Sequence, residues 1–588
     1  MKSLVRKKQI YIVALPVMLL LGSGCKKMFD IQPEQNLDRE QMYRDVYDAD
    51  AAVLGLYGKL LNLAEQQVVL NELRADLMDV TSNASEVLKE VNEHTVTLEN
   101  PYANPKPFFE TILNCNDVIK NFRIMYTDKK LSTEQFQQRY GDVVALRSWV
   151  YLQAGIQFGT VPYITDALET VDAVKDESRF TRLGLERLID TLIKTTDSIP
   201  YKDPYTATTS LVTIVDGYNT SKFFIHKKCL LGDLYLWRSA FTKSAADART
   251  AAQYYKDVMN TDKSDAGETY RVKYSEVLSN SDLAIGYYND GRVNQYNENA
   301  LVNSNSLGWR SMFARAQDGL YNQEWIWMLY FDKSFAPKNP FINLFSNRGG
   351  SYLVKPSQTA ITAWNSQVQS ENNFRFDGRG KLTYTMLDGQ PVIMKYLYNY
   401  LDETTSIPVR PLEKPGKWFL YRAALLHLHY AEAANRDGRH RLAYALVNDG
   451  IKANYTDPAL PTDVTNSQQT FDVEPYAFDA RLGEVPRFRS AWYKNAGIRG
   501  RAHLKVNPVA AGSDSTLAIE NQIIDEQGLE LAYEGHRWAD LLRISIRRDD
   551  PAFIADKVYE KLQKGGNGKA AEVRARLMAR NWFLPFKW

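Results

Sequence analysis

The sequence predicts a mostly α-helical protein: degenerate tetratricopeptide-type helix pairs, a loop-rich ligand-binding region and minor β structure. Three observations carry this expectation. Six long segments space their apolar residues three and four apart, as an amphipathic helix does. Two of them run through a short turn into a second helical segment, with small residues where the two would cross. Between these pairs, Asn, Ser, Gly and Tyr interleave with short apolar runs over a long stretch.

In chain order, the first helix runs from Ala51 through Leu54, Tyr57 and Leu61, and the second from Phe108 to Phe122. The third, Val143 to Phe158, meets Gly159 and then Pro162, the expected stop signal. The fourth, Lys222 to Phe241, pairs with Ala245 to Met259 through Gly232 and Ala251. The fifth, Trp418 to Arg436, ends at Gly438 and pairs with Arg441 to Ile451 through Ala431 and Ala443. The sixth, Ile519 to Ile544, spaces Ile524, Leu531 and Trp538 seven apart on one face. No clean 34-residue period runs through the chain, so the pairs are degenerate and interrupted.

The interruptions are loop-rich insertions at about 268–400 and 454–496. The first holds Tyr287, Tyr288, Tyr296, Trp309, Trp325, Trp327, Tyr330 and Trp364, too aromatic for disorder, and long irregular segments of ordered chain are usually functional. Trp325 and Trp327 alternate in an apolar run that reads as a strand, which puts at least one of them in the core.

The N-terminus sets the compartment. Lys2, Arg6, Lys7 and Lys8 precede an apolar run from Ile10 to Leu21, the layout of a secretory signal peptide. That run is short of the ~20 residues that span a bilayer. Gly22-Ser23-Gly24-Cys25 then resembles a bacterial lipoprotein box, although Leu21 stands one place early. The expected organisation is a signal peptide over 1–24, a tether over 25–39 lipidated at Cys25, and one domain over 40–588. Several acyl chains on one cysteine, palmitate among them, anchor stably where one chain does not. The mature protein is then expected to be a soluble body on a lipid anchor. Cys115 and Cys229 lie in apolar helical segments and read as buried thiols, with a disulfide between them left open.

Composition narrows the function. Seventy-two basic and 70 acidic residues are too balanced for a protein that gains affinity by neutralising phosphates, so no nucleic-acid partner is expected. Three cysteines exclude a disulfide scaffold and a four-cysteine zinc module. Thirty-five tyrosines lead the aromatics, and a tyrosine buries its ring while keeping a wet hydroxyl. His427 and His429 sit about 200° apart around a helix and do not share a metal. There is no HExxH, GxSxG, P-loop or strand-linked GxGxxG, and Gly565-Gly566-Asn567-Gly568 reads as a loop. No metal, cofactor or catalytic residue is expected, and the 70 acids single out no carboxylate pair.

The C-terminal segment Ile523-Ile524-Asp525-Glu526-Gln527-Gly528-Leu529-Glu530-Leu531-Ala532-Tyr533-Glu534-Gly535-His536-Arg537-Trp538 resembles the signature helix of the SusD/RagB family of outer-membrane nutrient-binding lipoproteins. Other blocks follow the family order. Ala52 to Leu60 resembles its first helix, and Asn71-Glu72-Leu73-Arg74-Ala75-Asp76 its E-x-R-x-D element. Ala145 to Trp149 with Phe158-Gly159-Thr160-Val161-Pro162 is similar to the helix that ends in FGxVP. Tyr421-Arg422 through Ala431-Glu432-Ala433 and the closing Trp582-Phe583-Leu584-Pro585 also fit. Two blocks depart: Pro107-Phe108-Phe109 replaces a Trp–Tyr helix start, and the Asn…Arg-x-Arg-Ala-Gly segment is split between Asn448 and Arg499-Gly500-Arg501.

The resemblance implies a SusD-like fold and a cell-surface lipoprotein that binds oligosaccharides and passes them to a SusC-like TonB-dependent transporter. Peptide binding on the same fold is the alternative, and a helical glycoside-acting enzyme the more distant one. The resemblance places the ligand face after the E-x-R-x-D element and in the mid-chain insertion. In this sequence that implies Arg74, Asn83, Tyr102 and Asn104, then Tyr287, Tyr288, Tyr296 and Trp309. The signature residues Arg422, Glu432, Glu534, His536, Arg537, Trp538 and Asp540 read instead as buried structural charges and their packing partners.

Overall fold

The computed structural model describes residues 42–587 apart from 169, 216–217, 260–284, 289–295, 315–323, 334–335, 456–468, 471 and 480–495. The signal segment, Cys25, the tether and most of the 454–496 insertion lie outside the described residues.

The principal helices are α1 (Val46–Leu60), α2 (Ala64–Glu72), α3 (Lys106–Thr127), α4 (Thr133–Phe158), α5 (Leu185–Asp197), α6 (Lys227–Thr242), α7 (Ala245–Met259), α8 (Ala423–Arg436), α9 (His440–Val447), α10 (Ser515–Leu531), α11 (Arg537–Arg548), α12 (Pro551–Lys564) and α13 (Ala570–Met578). Local chemistry sets their ends. Asp45 caps α1 by accepting the Tyr47 and Asp48 N–H groups. Ser132 and Gln135 form a reciprocal capping box on α4, which ends at Gly159 with φ of 72°.

The fold is a helical scaffold of packed pairs, α3 with α4, α6 with α7, α8 with α9 and α12 with α13. Packing also runs on from α4 to α5, α6, α7, α8 and α10, so neighbouring pairs share one core. Gly232 lets α6 and α7 approach closely, because a Cβ there would run into the Tyr255 ring. Ala431 on α8 and Ala443 on α9 are both wholly buried.

The strands are minor and paired two by two. β1 (Met78–Val80) pairs with β5 (Val354–Pro356), β2 (Thr160–Pro162) with β3 (Arg182–Gly184), β4 (Trp325–Phe331) with β8 (Gly416–Arg422), and β6 (Tyr384–Leu387) with β7 (Gln390–Ile393), all antiparallel. A two-residue pair joins 214–215 to 218–219. Trp325 and Trp327 are both buried.

Three helix expectations are corrected. The segment Trp418 to Arg436 starts as strand β8 and turns helical only at Ala423, because the aromatic run from Trp418 to Tyr421 pairs with β4. The segment Ile519 to Ile544 is two helices, broken where Tyr533 and Gly535 take φ of 69° and 88°. The fourth helix begins at Lys227, behind a short 3₁₀ turn over Thr220–Phe223. The split Asn…Arg-x-Arg segment is reunited in space: Gly500 donates its N–H to the Asn448 carbonyl at 2.7 Å. Cys115 and Cys229 are buried free thiols. Among the described residues, no helix is long and apolar enough to cross a membrane.

Candidate functional site

Charged motif residues are the natural first candidates for a site, and the structure sends them inward. Each charged residue of the E-x-R-x-D element meets the Glu534–Trp538 block. Glu72 accepts the backbone N–H groups of Tyr533, Gly535 and His536 at 3.1, 2.8 and 3.1 Å. Burial still pushes its carboxyl up to about 7 against those hydrogen bonds. Asp76 takes both prongs of Arg537 at 2.7 and 2.8 Å. Burial works to raise the Asp76 carboxyl, but the Arg537 guanidinium overrides it and holds the group at about 2. Arg74 lies 4.0 Å over the Trp538 ring and donates to Gln157 at 2.8 Å and to the Trp582 carbonyl. It is 2% exposed, and burial lowers its guanidinium to about 9. The expectation that Arg74 faces ligand is corrected, because its donors are used inside the protein.

A second buried network ties α8, α10 and the mid-chain together. Arg422 reaches Glu534 at 2.8 and 3.0 Å, Glu324 at 2.8 Å and Glu530 at 2.7 Å. Arg501 joins Glu324 at 2.9 Å and also Glu530, while Arg379 binds Asp377, Glu526 and Glu530. Arg499 and Lys395 complete it through Glu526 and Glu534. Five cations face five carboxylates, so each charge is compensated where water is absent. Burial alone would raise the Glu530 carboxyl; Arg501, Arg422 and Arg379 hold it well below the usual range. Glu432, Arg436, Arg543, Asp540 and His429 form a neighbouring cluster of the same kind. Trp309 belongs to this interior too: it is wholly buried and its Nε1 donates to Glu530 at 3.3 Å. Trp309 therefore offers no ring face to a ligand, which corrects the second expectation.

Of the remaining first-region residues, Asn83 and Asn104 are exposed and Tyr102 is half-buried. Gln66 on α2 draws Tyr102 and Asn104 together by donating to both backbone carbonyls, at 2.8 and 2.9 Å. Tyr102 donates its hydroxyl to Glu65 at 2.8 Å, and burial together with that carboxylate raises the phenol. Asn83 is held by the Ser351 carbonyl at 3.1 Å. Asn104 lines an open groove of about 670 Å³ built by the loop Leu98–Pro105 and the start of α3. Leu98, Phe109 and Leu113 supply its apolar side, and Glu99, Lys106, Glu110 and Lys587 its charged rim.

In the mid-chain, Tyr287 and Tyr296 come together, ring centres 5.2 Å apart, around His503 at 5.4 and 4.8 Å. Tyr287 is 2% exposed and donates to Gln369 at 3.4 Å, so its ring is an internal support, which corrects a third expectation. Tyr296 is half-buried, and Tyr288 keeps 49% of its surface, on an extended segment pinned by its N–H to the Ala300 carbonyl at 2.7 Å. His503, Glu371 and the exposed Phe374 share this neighbourhood: His503 approaches Glu371 at 3.5 Å, and Asn372 holds both the Phe374 N–H and the Tyr296 carbonyl. Sequence reasoning missed His503 because it lies some 200 residues beyond the tyrosines it touches. The groove was foreshadowed only by the prolines and asparagines of Asn100-Pro101 and Asn104-Pro105.

The arrangement suits binding. Exposed rings give flat apolar faces, asparagine amides both donate and accept, and the rigid charge networks hold the loops that carry them. Among the described residues, no group of three or more His, Cys, Asp or Glu is placed to hold a metal.

The family model described as the SusD family matches residues 236–582, more than half of the chain. The chain belongs to the SusD family. No curated protein matches it. Among solved structures, this SusD-family chain is similar to a SusD superfamily protein from Bacteroides vulgatus ATCC 8482, at 14% identity and a TM-score of 0.54, over 90% of this chain and 98% of that one. A laminarin-binding SusD-like protein is 15% identical with a TM-score of 0.54, over 92% and 96%. Surface glycan-binding protein A from Bacteroides thetaiotaomicron, in complex with laminarihexaose, is 14% identical with a TM-score of 0.51, over 86% and 91%. Identities this low establish the shared SusD fold.

Proposed function

We propose that this SusD-family chain is a cell-surface lipoprotein, anchored through Cys25 on a 25–39 tether, that binds oligosaccharides and hands them to a SusC-like TonB-dependent outer-membrane transporter. Family membership carries the reading. It is supported by the likeness to structures described as laminarin-binding and as complexed with laminarihexaose. The ligand meets the exposed Asn83, Asn104 and Tyr288 with the half-buried Tyr102 and Tyr296.

A sugar ring has an apolar C–H face and a rim of hydroxyls. Tyr288 offers a platform for the first, and the asparagine amides pair with the second. Several modest contacts suit a carrier that must release what it catches. The role is binding and transfer, without turnover.

Isothermal titration of the lipid-free mature chain against oligosaccharide and peptide panels tests the reading. Saturable heat with one glycan class and none with peptides is the expected result. Heat with peptides alone would move the chain to the peptide-binding alternative, and glycan cleavage would make it an enzyme.

A further inference from the structure

Lys561 lies wholly buried near the end of α12. Its Nζ donates to the Leu73 carbonyl at 2.8 Å and to the side-chain Oδ1 of Asn92 at 2.6 Å, and among the described residues it takes part in no ion pair. The buried cations Arg422 and Arg537, by contrast, sit directly on carboxylates. An ammonium held in the interior by neutral oxygens alone is costly. Burial accordingly lowers the Lys561 ammonium to about 8, against the more distant pull of Asp79 and Asp76. On the order of a tenth of the side chain is then the neutral amine at pH 7, the form that acts as a nucleophile.

The group facing that amine is equally fixed. Asn92 closes the short helix Glu86–Asn92 and is 1% exposed. Its Nδ2 donates to Asp79 Oδ1 at 3.0 Å, an oxygen that also accepts the Val80 N–H at 2.8 Å. The amide therefore turns its oxygen to the lysine and its nitrogen to the carboxylate. Gly565 roofs the carboxylate, since a Cβ there would stand 2.6 Å from Asp79 Oδ2. Amine, amide and carboxylate thus meet in sequence, from α12, the short helix and β1. The amide carbon Cγ is one bond, about 1.2 Å, beyond Oδ1, so a small shift brings the amine onto it. Groups held this way react as though at very high concentration.

We infer that Lys561 and Asn92 join in an intramolecular isopeptide bond, with Asp79 as the proton carrier. The Nζ lone pair attacks Cγ and the Nζ–Cγ bond forms. Nζ and Nδ2 then share one carbon, so the carboxylate already on Nδ2 reaches both. Asp79 takes a proton from Nζ and passes it to Nδ2. The Cγ–Nδ2 bond breaks and ammonia leaves. An amine and a primary amide become a secondary amide and ammonia, with no oxidant, reductant or other reactant. The product carries no charge, so the buried ammonium is gone. It also ties positions 469 apart, which restricts the unfolded chain. The bond does not depend on which ligand the protein binds.

The test is the intact mass of the lipid-free mature chain, measured after denaturation. The wild-type mass is expected to fall short of the sequence by one ammonia. A tryptic digest is expected to yield Val558–Lys564 joined through Lys561 to Glu90–Lys120. Lys561→Arg keeps a cation without the nucleophile, and Asp79→Asn keeps both reacting groups but cannot carry the proton; both are expected at full mass. A wild-type chain at full mass, with the two peptides recovered separately, would overturn the bond, and no variant has to fold for that result. An ammonia loss confined to a single peptide would overturn it equally. Asp79→Asn joined to the same extent as wild type would overturn the role of Asp79.

Discussion

Asp76 and Arg537 stand 461 positions apart and meet in a two-pronged ion pair at 2.7 and 2.8 Å, both buried. The pair joins the segment just beyond α2 to the start of α11. Arg74 and Glu72, two and four residues before Asp76, reinforce it, on the Trp538 ring and on the backbone of Tyr533, Gly535 and His536.

Removing one partner of a buried pair leaves the other charge uncompensated. Arg537→Ala is expected to destabilise the protein by about 3–5 kcal/mol in urea unfolding. Arg537→Lys recovers little, since an ammonium cannot reproduce the fork. A loss under about 1 kcal/mol, the range of a solvated surface pair, would show that the contact is not sealed from water.

Gly232→Ala places a methyl group against the Tyr255 ring between α6 and α7. Overpacking of this kind costs about 1–3 kcal/mol, read as a lowered melting temperature. The double variant with Tyr255→Leu is expected to regain part of that loss, because the two positions share one space. Additive losses would place the strain elsewhere.

His429 bridges Asp233 at 2.9 Å and Asp540 at 3.3 Å. Burial works to lower its pKa, but the two aspartates raise it to about 9. A raised pKa in the folded state contributes stability that is complete below the unfolded value of about 6.5 and is lost as pH rises through about 9. The unfolding free energy from urea titrations should fall between pH 6 and pH 10 by an amount on the order of 3 kcal/mol. His429→Gln should flatten that slope; an unchanged slope would assign it to another group.

Tyr288 and Trp309 separate site from scaffold. Tyr288→Ala, at an exposed ring, should weaken glycan binding about tenfold at unchanged melting temperature. Trp309→Ala empties a buried position and should cost about 3–5 kcal/mol in stability. Tight glycan binding by Tyr288→Ala would remove Tyr288 from the ligand face.

Helix positions were largely legible because the signals are local. Apolar spacing and the Gly159 stop located the C-terminal part of α4, from Val143, though the helix begins at Thr133, and Gly232 marked the α6–α7 crossing. The misread segments were those where a distant partner outweighed local pattern. The run Trp418–Tyr421 carries helical spacing, yet its backbone hydrogen bonds go to β4, about 90 residues earlier. The run through Leu531 and Trp538 is broken because Glu72, from the other end of the chain, takes the N–H groups that a continued helix would use.

The candidate site was less legible for the same reason. Arg74, Tyr287 and Trp309 belong to residue types that serve ligands and interiors equally well, and only burial separates the two uses. The sequence alone determined a helical chain, its motif order and the family that order resembles, because periodicity, caps and motif spacing are written in neighbouring residues. Only the tertiary structure decided which charges pair inside, which rings stay exposed and where the Asn104 groove opens. Those depend on contacts between residues hundreds of positions apart, and on the cost of leaving a charge or a backbone polar group without a partner away from water.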